Sequence, residues 1–289
     1  MTAADPTAGR SLWQDAARRL RRNRAAMAAT VVLTVIVLLV IVGPWLTPFA
    51  YDHIDFDGEW GAAPFTAGHW FGTDTLGRDL FTRTLHGGRI SLMVGVVATL
   101  VSLLIGVSWG AIAGYVGGRV DAVMMRIVDI LYAMPFMFFV ILLMVLFGRH
   151  LVLIFVAIGA INWLDMARIV RGQTLSLKRR EFIEAAVVAG VRPATIIRRH
   201  IVPNLLGVVV VYVTLTIPQV ILVESFLSFL GLGVQAPATS WGALVDEGAR
   251  EMARTPWALI FPAVFLAATL FCFNFIGDGL RDALDPKDR

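Results

Sequence analysis

Long apolar runs separated by short polar segments dominate this sequence. Six stretches contain about 20 mostly apolar residues each, the length that crosses the hydrocarbon core of a bilayer as a helix. Their interruptions are Gly, Pro or small polar side chains, which transmembrane helices tolerate. The pattern predicts an all-α, polytopic transmembrane helical bundle. The predicted spans are Ala25–Leu46, Ile90–Tyr115, Val123–Phe147, Leu151–Val170, Leu205–Leu227 and Trp257–Ile276.

Composition supports the same class. Hydrophobic residues make up 57% of the 289 residues, charged residues 16%, and the mean hydropathy is +0.75, as expected of a chain whose main solvent is lipid. The 25 Lys and Arg exceed the 21 Asp and Glu, but they cluster beside apolar runs, which favours a topological role over nucleic-acid binding. The single cysteine, Cys272, excludes an intrachain disulfide.

Basic residues in the flanking segments predict the orientation. Loop Tyr51–His86 is rich in acids, whereas the segment before the first span is basic. Because Lys and Arg accumulate on the cytoplasmic side, we expect the loop outside and both termini and segment Arg171–Asn204 inside. The first apolar run, of about 22 residues, exceeds a signal-peptide core and predicts a retained anchor. The arginines before it are Arg18, Arg19, Arg21, Arg22 and Arg24.

The long outer loop is expected to hold structure of its own. It is rich in Trp, Phe, Gly and Asp, a mixture suited to the membrane interface or to contact with a second protein. Helical spacing of apolar positions predicts an amphipathic helix over Gly72–Arg89 that lies along the outer surface. The residues that set this spacing are Leu76, Leu80, Phe81, Thr84 and Leu85.

A polar, strongly basic segment lies between the fourth and fifth apolar runs. Within Glu181–Asn204, Gly190 predicts the end of a short helix, Pro193 the start of a second, and Pro203 a break before the apolar run resumes. The prediction is a helix-turn-helix hairpin outside the bilayer. From composition alone, a solvated loop that only fixes topology is the alternative.

The first helix of this hairpin suits close packing against another protein. Ala185 and Ala186 leave a low-profile surface, and Glu184 stands four residues after Arg180 on a shared face. The hairpin therefore has the shape expected of a docking element.

No catalytic constellation can be found in the sequence. None of the five histidines pairs at helical spacing with another His or Cys, and no Gly-x-x-x-x-Gly-Lys-Ser/Thr phosphate loop occurs. Any nucleotide-driven step must belong to another polypeptide. A membrane enzyme or scaffold that uses Asp165, Glu224 and Asp278 is a remote alternative, because these acids lie on different predicted spans without His or Cys partners.

Three residues in the spans are candidates for the pathway or its gate. Pro135 and Pro218 interrupt apolar runs and can mark bends, although bundle packing around a kink explains them equally well. Glu224 lies near the outer end of the fifth span, where an acid either lines a water-filled path or reaches the interface. No substrate-binding residue can be assigned.

The hairpin also carries a family pattern. Glu184-Ala-Ala186, then Gly190, then His200-Ile-Val-Pro203-Asn204 resembles the EAA loop of importer-type ABC transporter permeases, and the ending is similar to the dipeptide/oligopeptide (and nickel) branch. The resemblance runs from about Arg18 to the C-terminal region. Other matching stretches are His69–Asp79, Gly114–Asp121, Met125–Asp129, Glu224–Pro237, Ser240–Gly242 and Gly277–Pro286.

This resemblance implies a fold and a division of the chain. The chain is similar to the C-type subunit, which has the type-1 ABC importer permease fold. In that fold the hairpin couples to an ATP-hydrolysing subunit. The coupling residues implied are Glu184, Ala185, Ala186, Gly190, His200, Pro203 and Asn204. The implied parts are a basic cytoplasmic tail (1–24), an anchor helix (25–46), an extracytoplasmic loop with the amphipathic helix (47–89), the permease domain (90–278, hairpin 178–204) and a C-terminal tail (279–289).

The resemblance further implies an importer of di- and oligopeptides in the bacterial inner membrane. This chain would form half of the pathway, paired with a homologous permease as a heterodimer. Two cytosolic ATP-binding subunits would hold ATP and Mg, so no cofactor is expected in this chain, and an extracytoplasmic binding protein would deliver substrate. An importer of nickel or metal chelates, or of glutathione, is the alternative within the same branch.

Overall fold

A computed structural model describes residues 12–55, 60–148 and 151–284 of the chain. These residues form helices and loops, with two isolated β-bridges and no extended strand. The first six helices are α1 (Leu12–Arg22), α2 (Arg24–Val42, continued by a 3-10 turn at Gly43–Trp45), α3 (Leu80–Val116), α4 (Gly118–Ala133), α5 (Phe136–Phe147) and α6 (Leu151–Leu177). The remaining helices are α7 (Glu181–Val188), α8 (Pro193–Ile196), α9 (Val202–Phe229), α10 (Trp241–Arg250) and α11 (Pro256–Leu284).

Four of these helical segments are long and apolar enough to cross a membrane, and the number rises to five if a bent pair counts as one span. The pair joins Gly118–Ala133 to Met137–Phe147 through a bend of 82°. The prediction of a polytopic helical membrane protein is confirmed. The fourth predicted span, Leu151–Val170, is helical within α6 but is not among these candidates, so the count of six stays a prediction. The four segments are Arg24–Trp45, Leu80–Val116, Pro193–Phe229 and Pro256–Leu284.

Helices α3 and α6 pack against each other more extensively than the other described helix pairs. Gly106, Gly110 and Gly114 recur every fourth residue and form a smooth ridge on α3. A Cβ on Gly110 would lie 2.4 Å from the Ala167 carbonyl oxygen. The two helix backbones therefore approach closely, as small residues at helix interfaces allow in membrane proteins.

The bundle has two distinct ends. At the hairpin end lie α7 and α8, the end of α6 and the beginning of α9; α1 packs there against α11 through Leu20 and Gly279. At the loop end lie residues 43–55 and 60–79, the start of α3 and α10. Trp241 of α10 is fully buried there, and its indole Nε1 donates to the Thr84 carbonyl oxygen at 2.9 Å. The predicted tails 1–24 and 279–289 lie partly outside the described residues.

The predicted amphipathic helix over Gly72–Arg89 differs from the structure. Residues 72–79 form a loop, and a helix begins only at Leu80, as the first turn of α3. Asp79 caps it by accepting from the Thr82 backbone N–H at 2.7 Å. Leu80 and Leu85 are buried beneath the loop and α10 rather than lying on the outer surface, because tertiary packing extends α3 by ten residues beyond the predicted span.

The predicted break at Pro203 is also wrong. Helix α8 passes through a π-helical turn, Ile197–Ile201, directly into α9, and Pro203 is the second residue of α9. Proline tolerates the first turn of a helix because its missing N–H is not needed there. Consequently, the second leg of the hairpin and the following span form one continuous helical segment.

Candidate coupling hairpin and transmembrane polar sites

The turn of the hairpin is built by a glycine-dependent C-cap. Helix α7 ends at Val188, and Gly190 has a φ of +74°, a left-handed conformation that glycine adopts without strain. The Gly190 N–H donates to the Val187 carbonyl at 3.0 Å, and the Val191 N–H donates to the Ala186 carbonyl at 3.1 Å. These two bonds form a Schellman motif. The predicted stop at Gly190 is confirmed.

The second leg begins where the sequence predicts. Pro193 occupies the first turn of α8, and the Arg192 carbonyl accepts from the Thr195 and Ile196 N–H groups. Farther along, the Asn204 side-chain amide donates to the His200 carbonyl at 2.6 Å. His200 is half-buried, whereas Pro203 and Asn204 are exposed. These three residues therefore lie on the second leg and its continuation, not on the helix that carries Glu184.

Buried isoleucines fasten both legs to the bundle. Ile183 of α7 is 1% exposed, and Ile196 and Ile201 of the second leg are fully buried. They share one apolar cluster with Ala111 of α3 and Met166 of α6, and Ala186 packs at its edge. The sequence analysis did not identify these isoleucines, although Ile183 and Ala186 stand three residues apart, which is one helical face.

The opposite face of α7 is open. Val188 is 89% exposed, and Phe182 and Val187 are also exposed, at 44% and 53%. Glu184 and Ala185 are exposed beside them. Within the described residues Glu184 makes no ion pair, and it does not pair with Arg180. Adjacent exposed apolar side chains around an available carboxylate are typical of a protein-binding surface.

The two prolines of the predicted pathway behave differently. Pro135 stands at the start of α5, at the bend between α4 and α5, because proline disfavours helical geometry in the residue before it. Pro218 lies buried inside α9, which continues through it from Val202 to Phe229. The structure brings neither proline into the hairpin.

Glu224 is sealed inside the protein at the loop end. Its side chain is fully buried within the described chain, so it neither faces a cavity there nor reaches the interface. Ser228 Oγ donates to Glu224 Oε1 at 2.8 Å, and Ser91 Oγ donates to Oε2 at 3.4 Å. Ser240 Oγ lies 3.4 Å from Ser228 Oγ and caps α10. Glu224 therefore joins α3, α9 and the start of α10 through hydroxyl groups.

The described residues form a multi-span helical bundle with a helix-turn-helix hairpin at one end, an architecture compatible with a membrane transport component. Residues 106–289 match the family model described as the binding-protein-dependent transport system inner membrane component. Residues 11–64 match the N-terminal TM domain of oligopeptide transport permease C. The chain belongs to this family of inner-membrane permeases, in its C-type peptide ABC transporter branch.

Close relatives cover almost the whole chain. The chain is 63% identical to the oligopeptide transport system permease protein OppC of Escherichia coli, over 97% of this chain and 93% of that protein. It is 61% identical to the protein of the same name from Haemophilus influenzae, over 97% and 90%. It is 49% identical to the dipeptide transport system permease protein DppC of Bacillus subtilis, over 96% and 87%.

Similarity to these relatives tests several predictions made from the sequence. The chain is a multi-pass inner-membrane permease subunit of an ABC transporter, and the prediction of a transport subunit rather than an enzyme is confirmed. Permeases of ABC importers work in general with a partner permease, ATPases and a binding protein. The roles of individual hairpin residues are not tested by similarity and stay predictions.

Proposed function

We propose that this chain forms half of a translocation pathway for di- and oligopeptides and couples it to two cytosolic ATPases through the hairpin. The observation that carries the proposal is the two-sided hairpin: its inner face is fixed to α3 and α6 by buried isoleucines, and its outer face exposes Val188, Ala185 and Glu184. Relatives named as oligopeptide and dipeptide permeases support the substrate class.

The anchoring suggests how force is passed on. An ATPase that grips the outer face would move Ile183 and Ile196 together, and their shared cluster with α3 and α6 would carry the displacement into the bundle as a rigid-body motion. ATP binding would thereby open the spans outward, and hydrolysis would reset them. This chain would supply the lever and the partner subunits the nucleotide chemistry.

The proposal also assigns sides and partners. The hairpin end faces the cytoplasm, together with α1 and the end of α11, and the loop end meets an extracytoplasmic binding protein. A homologous permease supplies the other half of the pathway as a heterodimer. The basic residues of the hairpin and of α1 support this orientation.

Glutathione is a second candidate substrate for the same architecture. The chain is 39% identical to the glutathione transport system permease protein GsiD of Pectobacterium atrosepticum, over 96% of this chain and 92% of that protein. The higher identity to the oligopeptide proteins, 61% and 63%, favours peptides.

Gentle extraction of the tagged chain, identification of copurifying proteins and assay of ATP hydrolysis with di- to pentapeptides test the proposal. A second permease, two ATPases and peptide-stimulated hydrolysis are expected. Hydrolysis stimulated only by glutathione or a nickel chelate would keep the architecture and overturn the substrate, and recovery without an ATPase would overturn the coupling role.

A matched pair of variants tests the hairpin itself. Val188→Glu places a charge on the exposed outer face and should prevent copurification of the ATPases while leaving the second permease bound. Ser176→Glu changes an exposed residue near the end of α6 and should retain both. Equal ATPase recovery in the two variants would contradict the hairpin as the docking surface.

A further inference from the structure

Polar side chains from three helices meet on one surface of the bundle. Arg168 of α6 donates through Nη2 to Asp129 Oδ1 of α4 at 2.8 Å, and its guanidinium lies 4.5 Å from the ring centroid of Tyr132. Asp165, one turn earlier on α6, interacts electrostatically with Tyr212 of α9. We name these five residues, Asp129, Tyr132, Asp165, Arg168 and Tyr212, the polar wall.

This surface is open in the single chain, while the other face of α6 is closed. Tyr132 is 52% exposed, and the side chains of Arg168 and Asp129 are 42% and 54% exposed. By contrast, Met166 and Ala167 of α6 are buried against the glycine ridge of α3. The two faces of α6 therefore have different environments, and the polar face is the one without a protein cover.

The predicted span Leu151–Val170 places the polar wall deep within the membrane. Asp165 follows the first residue of α6, Leu151, by about 21 Å at 1.5 Å per residue, within a hydrocarbon core of about 30 Å. Charged side chains at such depth are costly against lipid and face a bundle interior or a water-filled cavity instead. The wall is consequently a surface that borders water or a polar ligand.

The charges of the wall leave one carboxylate available. Arg168 and Asp129 neutralise each other, whereas Asp165 makes no hydrogen bond or ion pair with any residue in the described ranges. An available carboxylate near the Tyr212 ring suits a ligand with an ammonium group, because charge-assisted hydrogen bonds are the strong ones and ring faces attract cations. A short peptide carries such a group at its N-terminus.

We propose that the polar wall lines the translocation pathway and that Asp165 binds the N-terminal ammonium group of a short peptide in transit. This inference rests on the proposed function, because it assumes that peptides pass through the chain. Separate measurements test whether the wall faces the pathway and whether Asp165 contacts the ammonium group.

Cysteine labelling tests the pathway face. The single native cysteine, Cys272, is buried and can be replaced by Ser to give a silent background. Tyr132→Cys places a thiol on the wall, and Val264→Cys places one on α11 at a residue of similar exposure, 57%, outside the wall. In the complete transporter in lipid nanodiscs, a charged methanethiosulfonate should modify the first about tenfold faster than the second, because the reactive thiolate needs water.

Equal rates at the two positions would overturn the pathway face. That result includes the case in which the partner permease covers the wall, since a covered thiol would also react slowly. Peptide-stimulated hydrolysis by the parent transporter is measured in the same nanodiscs. Its loss would instead indicate failure of the proposed function, so the two failures can be told apart.

Protection by peptide tests the ammonium contact. Trialanine should slow labelling of Tyr132→Cys more than N-acetyl-trialanine does at the same concentration, because one charge-assisted hydrogen bond changes affinity about tenfold. Asp165→Asn in the same background keeps the size of the side chain and should abolish the difference between the two peptides. Equal protection by both peptides, or a difference between them that survives Asp165→Asn, would overturn the role of Asp165. Recovery of the partner subunits with both variants controls for folding.

Discussion

Charged side chains are buried and paired at one end of the bundle and exposed at the other. At the loop end, Arg83 is 1% exposed and hydrogen bonds to both Asp74 and Glu247. At the hairpin end, Glu184 and Val188 are exposed to solvent, and Glu184 has no ion-pair partner in the described parts of the chain. The loop end is therefore stabilised by its own contacts, while the hairpin end keeps groups available for another protein.

Two acids on the long helices α9 and α6 repeat this contrast. Glu224 receives hydrogen bonds from Ser91 and Ser228 and is fully buried. Asp165 is partly exposed and has no such donor among the residues described. An acid on a long apolar helix can thus hold neighbouring helices together or stay available to a ligand. Its hydrogen-bond partners, not its residue type, distinguish the two cases.

The largest effect on stability is expected at Arg83. Arg83→Ala removes the buried cation that joins Asp74 to Glu247 and leaves Asp74 with Arg78 alone. The lost ion pair and the cavity together should lower the free energy of unfolding by about 3–5 kcal/mol. Arg250→Ala is the control, because Arg250 is 69% exposed and pairs with Asp246 within one helix turn, an interaction of about 0.5 kcal/mol. Unfolding in detergent, followed by circular dichroism, measures both. Similar losses in the two variants would contradict the contrast between the ends.

A smaller effect is expected at Glu224. Glu224→Ala leaves Ser91 and Ser228 without their acceptor and should cost about 1–3 kcal/mol. Glu224→Gln keeps one side-chain oxygen as an acceptor and should cost less. The same unfolding measurement applies. An alanine variant as stable as the parent would show that the hydroxyl contacts do not hold α3, α9 and α10 together.

The smallest effect on stability, but a large one on transport, is expected at Gly190. A Cβ there meets no atom within 4 Å, so Gly190→Trp is penalised mainly by its positive φ, at about 1–2 kcal/mol. Its bulk would nevertheless obstruct the ATPase, and peptide uptake should fall to background. Gly172→Trp, at an exposed position in α6 that also has open space, is the control. Wild-type uptake by Gly190→Trp would refute the coupling role.

Local chemistry predicted the hairpin, whereas distant contacts determined the rest. Gly190 and Pro193 define a turn through their own backbone preferences, so the end of α7 and the start of α8 could be predicted from the sequence. At Pro203 the same reasoning failed, because a π-helical turn carries the helix to the proline without a break. Periodicity alone cannot reveal such a turn.

The remaining differences involve residues far apart in the chain. The periodic positions Leu80 and Leu85 predicted a surface helix, but packing beneath the loop and α10 buries them within α3. Ser91 and Ser240 reach Glu224 and its neighbour Ser228 from 133 and 12 residues away. No local pattern could have revealed that these hydroxyls surround the acid, since only the tertiary structure brings them together.

The length of α3 has a mechanical consequence. Its 37 residues form a rod of about 56 Å that runs without interruption from the loop end to the hairpin end. If such a rod pivots about its midpoint by about 10°, each tip moves by about 5 Å, in opposite directions. A modest tilt at one membrane face would therefore produce a displacement of one helical turn at the other, with no joint in between to absorb the torque.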